Sequence, residues 1–304
     1  MIKRILVPLD GSKLAENVLP FACSMAKQLQ ATLVLFHVVE KAAPDEIHGQ
    51  HHLHEVGEAR AYLDQVTKRL SSDKLSVVQD VHEVQEVGVA QTISNHADEL
   101  HTDLIILCAH GNGGLRDVFY GNIAQQVIRQ SKVPVLFIRP DTTFDWCSRP
   151  IAKIMLLLDG AKAHEVAIPV ARDLAESYHA ELCLLNVVPD SDSLALREAI
   201  TGRVSPRATA LTLDIGAKQA ESYLDTKVQE LSEQGISAKE IVLRGEVISK
   251  LIETIAAEKV DLVVMATHGH NVLDAHWEGS LTPRFLPKAD VPVLLVRGVG
   301  ADRE

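Results

Sequence analysis

Two short segments of the sequence carry residue types at spacings suited to holding an anion. Ala266-Thr267-His268-Gly269 is followed, after nine residues, by Gly279-Ser280, and Cys108-Ala109-His110-Gly111 is followed, after nine, by Gly121-Asn122. Glycines in such a turn adopt backbone angles closed to other residues and let main-chain N–H groups approach phosphate oxygens with no side chain between. Ser280 can cap the helix that follows or donate its hydroxyl to a phosphate. An aspartate closes an apolar run early in each half, Asp10 and Asp159, and such a carboxylate can accept hydrogen bonds from a sugar or a base. The charges beside the two turns differ. His270 to Glu278 contains Asp274 and Glu278 and no Lys or Arg, whereas the other loop offers Arg116. A polyphosphate beside the acidic loop therefore calls for a metal ion such as Mg²⁺, or for Arg284, to offset the repulsion.

Other chemistry is poorly represented. His110 and His268 precede the motif glycines, but no Ser or Cys nucleophile stands in a recognisable triad order with either; they are expected to order the turn or pack near a ligand. No Walker lysine motif, GxSxG elbow, HExxH or Ser-Gly-Gly-x-Asp pyrophosphate loop occurs. No catalytic residue is assigned, and dedicated catalysis is disfavoured, with slow turnover of a bound ligand left open. His48, His51, His52 and His54 cluster with only Glu55 at a ligand spacing, so a solvated loop is expected and no metal site is assigned. Cys23, Cys108, Cys147 and Cys183 show no CxxC spacing and read as reduced thiols, Cys108 as a small buried residue at a strand end.

The elements that must position these turns occur twice. Ile5-Leu6-Val7-Pro8-Leu9-Asp10-Gly11 matches Ile154-Met155-Leu156-Leu157-Leu158-Asp159-Gly160; Leu19-Pro20-Phe21-Ala22 matches Ile168-Pro169-Val170-Ala171; Asp103-Leu104-Ile105-Ile106 matches Asp261-Leu262-Val263-Val264; Val133-Pro134-Val135-Leu136 matches Val291-Pro292-Val293-Leu294. Within each half, short apolar runs alternate with stretches of helical period, the pattern of βαβ units around a parallel sheet covered on both faces. Strands are predicted near 3–9, 32–39, 76–84, 103–109 and 133–138, and near 152–158, 181–188, 238–243, 261–266 and 291–296. Helices are predicted near 13–29, 56–71, 89–101 and 121–131. The fold class is α/β, with two tandem open parallel five-stranded sheets: one domain over 1–140, a linker over 141–150 and a second domain over 151–300. An insertion after Val188, running to about Thr212, is expected as a surface loop with one helix at 193–200, or as a lid. Pro287 is expected to cut the last helix short.

Leu6-Val7-Pro8-Leu9-Asp10-Gly11-Ser12, His110-Gly111-Asn112-Gly113-Gly114-Leu115 and the two glycine frames together resemble the universal stress protein family, over essentially the whole chain and twice. ATP-binding members of that family carry Gly-2x-Gly-9x-Gly-(Ser/Thr). The resemblance implies an adenine nucleotide alpha hydrolase-like, Rossmann-like sheet in each half. In the second half it implies nucleotide contacts at Asp159, Val187, Ala266, His268, Gly269, Gly279, Ser280 and Leu281. In the first half the matching positions are Pro8, Asp10, Val38, Cys108, Gly111, Gly121, Asn122 and Ile123. The main chain at Val187 or Val38 takes the adenine-contacting position. Both halves depart from the pattern: the first glycine is Cys108 or Ala266, and the Ser/Thr is Asn122 in the first half, so the second half is the better ATP site.

The implied function is a stress-response module that binds ATP or another adenine nucleotide and signals through its surface to a protein target the sequence does not name. Two alternatives stay open: an interaction scaffold of the same fold without nucleotide, and an enzyme acting on an adenylated or phosphorylated small molecule. The 41 acidic against 30 basic residues, a formal charge of -11, oppose a nucleic-acid or anionic-membrane partner. No apolar run reaches the ~18 residues of a membrane span, and the expected location is cytoplasmic. In the family the last strands pair across a dimer, so a tandem chain is expected to form an intrachain pseudo-dimer near Val133–Ile138 and Val291–Val296; homodimerisation is left open.

Overall fold

The computed structural model describes residues 1–40, 46–47, 50–70, 75–84, 88–108, 122–139, 150–190, 206–267 and 281–298. It divides into two compact units, one of Met1–Pro150 with Asp290–Arg297, the other of Ile151–Ala289 with Gly298–Glu304.

The first unit follows the alternation of apolar runs. Its strands are β1 (Arg4–Pro8), β2 (Thr32–Glu40), β3 (Glu46–Ile47), β4 (Gln50–His51), β5 (Val77–Val84), β6 (Leu104–Cys108) and β7 (Val135–Ile138). Its helices are α1 (Lys13–Glu16), α2 (Leu19–Leu29), α3 (Val56–Leu70), α4 (Val89–Glu99) and α5 (Asn122–Gln130). The sheet order is β5-β2-β1-β6-β7, parallel throughout, while β3 and β4 form a small antiparallel pair. Every interior residue of β2 is buried, as expected of a strand covered on both faces. In α2 the buried positions Leu19, Ala22, Met25, Ala26 and Leu29 recur at helical spacing, placing one apolar stripe against the sheet. The strand β12 (Val293–Arg297), which ends the second repeat, lies antiparallel on β7 with Leu294 opposite Leu136. The last strands of the two repeats, expected to pair, do so.

In the second unit β8 (Lys153–Leu157), β9 (Glu181–Val188), β10 (Ala238–Arg244) and β11 (Leu262–Thr267) form a parallel sheet in the order β10-β9-β8-β11. Around it lie α6 (Ala167–Tyr178), α7 (Pro206–Glu233), α8 (Val247–Glu258) and α9 (Leu281–Phe285). The last of these stops after five residues and gives way to a 3₁₀ turn at Leu286–Lys288, the effect expected of Pro287. One expectation is corrected. The surface loop foreseen to about Thr212 ends earlier, because α7 is already helical from Pro206; a proline is preorganised for the first helical position, and the Ala and Leu residues that follow are strong helix formers. The helix expected at 193–200 lies outside the described residues.

One device fastens the same two strands in both repeats. Asp261 Oδ2 accepts hydrogen bonds from the main-chain N–H groups of Ala152 (2.8 Å) and Lys153 (2.9 Å). Asp103 Oδ2 accepts the equivalent pair from Lys3 (2.7 Å) and Arg4 (2.9 Å). The carboxylate that precedes the fourth strand of each repeat thus clamps the start of the first, and those are the two strands whose far ends bound the cleft described next.

Candidate functional site

In the second unit β8 has β9 on one side and β11 on the other, so strand order reverses about it and the carboxyl ends of the strands open into a crevice. A cavity of about 290 Å³ sits there. Leu158 and Met265, both buried, give it an apolar wall, and Ala266 carries the wall to the end of β11.

The β9 side offers main chain. Leu182 N donates to Ser237 O and Gly245 N to Val188 O, so the even-numbered residues of β9 bond toward β10. The odd-numbered residues point toward β8, where Leu158 N donates to Leu185 O (2.9 Å). The β8–β9 register ends at Leu157 opposite Leu185, and the chain then turns away at Asp159. The polar main-chain groups of Val187 are therefore directed at the cleft rather than into the sheet, which is the edge a planar base would use.

Asp159 closes β8, and Gly160 after it has φ +83°, a conformation that glycine adopts without strain. Asp159 Oδ1 accepts from Ala161 N (2.9 Å), and Oδ2 bonds His164 Nδ1 (2.8 Å). Burial works to raise the Asp159 pKa, but the hydrogen bonds from His164 and Ala161 outweigh it and hold the carboxyl below its ordinary range. The same bond, against the effect of burial, raises His164 above the ordinary imidazole value.

The cleft is also bordered by Glu246, Thr282 and Arg284. Glu246 is the N-cap of α8: its Oε2 accepts from Ser249 N (2.8 Å) and Ser249 Oγ (2.9 Å), and its Oε1 pairs with Arg284 Nη2 (3.2 Å). Burial would raise the Glu246 pKa; the bonds from Ser249, with Arg284 behind them, lower it. A side-chain anion thus already occupies the start of α8, where free N–H groups favour negative charge.

The structure places Asp159, Val187, Ala266 and Leu281 together around the cavity. His268, Gly269, Gly279 and Ser280 lie outside the described residues, as do Gly111 and Gly121. Asn186, His164, Glu246 and Thr282 also line the cavity and were not singled out from sequence. The available signal was divergence between the repeats: His164 stands where the first repeat has Ala15, and Asn186 where it has His37.

In the first unit, Pro8 ends β1 and Asp10 Oδ1 accepts from Ser12 N (2.9 Å). Val38 and Cys108 are buried at the ends of β2 and β6. Asn122 Oδ1 accepts from Gln126 Nε2 (2.8 Å) along its own helix, beside the exposed Ile123. One further expectation is corrected here: His52, read as part of a solvated loop, is 2% exposed, because the chain leading into α3 folds inward. Among the described residues, no three His, Cys, Asp or Glu side chains group in a way that could hold a metal ion, and no helix is long and apolar enough to cross a membrane.

The sequence profile of the Universal stress protein family matches residues 1–139 and 150–297. The chain belongs to the universal stress protein family. Among its relatives, universal stress protein YxiE of Bacillus subtilis is 28% identical over 153 residues, covering 46% of this chain and all of that protein. A universal stress protein of Mycolicibacterium smegmatis is 24% identical over 300 residues, 96% of each chain. Among solved structures, a universal stress protein from Archaeoglobus fulgidus superposes with a TM-score of 0.71 at 14% identity, over 97% of this chain and 98% of that one. The last likeness is one of fold.

Proposed function

We propose that the second unit of this universal stress protein binds ATP or another adenine nucleotide in the cleft at the ends of β8, β9 and β11, and that occupancy regulates a protein target. The observation that carries the reading is the main chain of Val187, freed from the sheet where β8 turns away, with Asp159 beside it at the reversal of strand order. The base lies against that edge, the sugar hydroxyls reach Asp159, and the phosphates extend toward the glycine frame of Gly269 and Gly279. Asp159 and Glu246 bring two carboxylates, and Arg284 is engaged by Glu246, so Mg²⁺ accompanies a polyphosphate and tightens its binding. Regulation fits better than turnover because the cleft presents a hydrogen-bonding edge and an apolar wall, and among the described residues that line it no nucleophile is held against a base.

Gly279→Val tests the reading. A branched side chain in a turn that lies against phosphate blocks the main-chain N–H groups and disfavours a positive φ. Isothermal titration of the full chain with ATP and Mg²⁺ should show a loss of at least ~2 kcal/mol, roughly thirtyfold, with circular dichroism unchanged. Unaltered affinity in the folded variant would mean that this turn is not the phosphate site.

A further inference from the structure

The first unit's counterpart of the cleft is treated differently by the chain. Gly11 and Gly160 follow the paired aspartates with nearly the same backbone angle, φ +90° and +83°. A Cβ built on Gly160 meets nothing within 4 Å, whereas on Gly11 it would come within 3.1 Å of Leu53 Cγ and Cδ1. The segment His52-Leu53-His54, between β4 and α3, therefore lies on the turn that in the second unit is open.

What holds the segment down is a buried group of imidazoles. His37 on β2 is 1% exposed and His52 is 2% exposed. The His37 and His52 ring centres are 6.5 Å apart, and those of His52 and His54 are 5.4 Å apart. His37 Nδ1 donates to Leu9 O (2.7 Å), which leaves Nε2 as the site of a second proton. Nε2 makes no hydrogen bond of good geometry among the described residues, while the Leu53 main chain lies near the ring and favours its protonated form. Protonation would set a cation in a buried site beside a second imidazole, a cost that the Leu9 and Leu53 main chain only partly offsets. The open unit carries Asn186 at this position, a side chain that cannot take the proton.

The charged groups around the cluster come from three elements. Asp10, at the end of β1, favours the imidazolium. From α1 comes Glu16, paired with Arg69 of α3 at 2.7 Å. From α3 come Glu58, whose Oε2 accepts from His54 N (3.1 Å), and Tyr62, whose hydroxyl burial keeps neutral. For His37, burial is the largest influence, and with the charge of His52 it overrides Leu9 O and Asp10, so the imidazole pKa is lowered. A lowered histidine pKa makes the closed state most stable above the unfolded value of about 6.5 and weakens it as pH falls below that value.

We propose that His52-Leu53-His54 is a pH-released cover over the first unit's counterpart of the cleft, shut while His37 is neutral and opened when it takes up a proton. The device does not depend on which ligand either unit binds. Hydrogen exchange of the full chain at about pH 7.5 and about pH 5, corrected for the intrinsic rate, tests it. One imidazole that titrates at about 6.5 when open and takes no proton when closed shifts the equilibrium about 30-fold over that interval. Protection at 52–56 and at Gly11-Ser12 should fall by that factor or more, while α2 and α6 keep theirs. His37→Gln retains a donor to Leu9 O and cannot titrate, so its cover should stay shut at both pH values; His37→Asn, the residue type of Asn186 in the second unit, serves the same purpose if that variant misfolds. Equal protection at the two pH values would overturn the proposal. So would a pH response that persists in the variants, or a loss that extends through α2, which would indicate unfolding of the unit rather than opening of a cover.

Discussion

Asp261 offers a measurable link between one side chain and the geometry of the cleft. Both N–H groups that it receives, from Ala152 and Lys153, converge on Oδ2, and the residue is 1% exposed. Asp261→Ala removes the acceptor and leaves two part-buried donors at the start of β8 without their partner. Each abandoned donor costs about 1–3 kcal/mol, so a loss of about 3–5 kcal/mol is expected, below the arithmetic maximum because the strand end can relax toward solvent. For a unit of this size that lowers the midpoint of its thermal transition by roughly 6–20 °C. Asp261→Asn keeps an oxygen where both bonds converge and forfeits only the charge assistance, so its loss should be about half as large or less. Differential scanning calorimetry separates the two. An Asp261→Ala variant destabilised by less than about 1 kcal/mol, or an Asn variant as damaged as the Ala one, would refute the argument that the clamp works through that single oxygen.

Two further outcomes are expected. His164 should titrate above 6.5 by NMR and return toward that value in Asp159→Asn; the stabilisation it draws from Asp159 is full below about pH 6.5 and is lost as pH rises through the raised value, while the Asp159 contribution, from a lowered pKa, is lost as pH falls below about 3.8. Gly298→Ala should destabilise the second unit by about 1–3 kcal/mol in thermal denaturation, because its Cβ would meet the carbonyl oxygens of Thr267 at 2.8 Å and Ala163 at 3.2 Å, neither of which can rotate away; a neutral substitution would show that the backbone there yields freely.

Much of the fold was legible because its signals are local. A continuous apolar run such as Leu33 to Val39 specifies a strand buried on both faces, Pro287 sets the end of the last helix, and the repeated Asp-Gly pairs mark turns that need a positive φ. Internal repetition then supplied the order of the elements, and with it the strand ends where Asp159 and Val187 meet. The start of α7 escapes local reading because proline, which punctuates loops elsewhere, is an initiator at a first helical position.

Other features were decided only in three dimensions. Nothing in the spacing of Glu246 and Arg284 states that one neutralises the other across the mouth of the cleft. Nor does the run from His48 to His54 reveal that His52 turns inward to meet His37 while Leu53 settles on Gly11. By itself the sequence determined which elements form and in what order they recur, since hydrophobic period and turn chemistry act over a few residues. Which side chains then share one desolvated space was settled by tertiary packing, because burial, and with it the protonation state of a histidine, belongs to the surroundings that distant segments build.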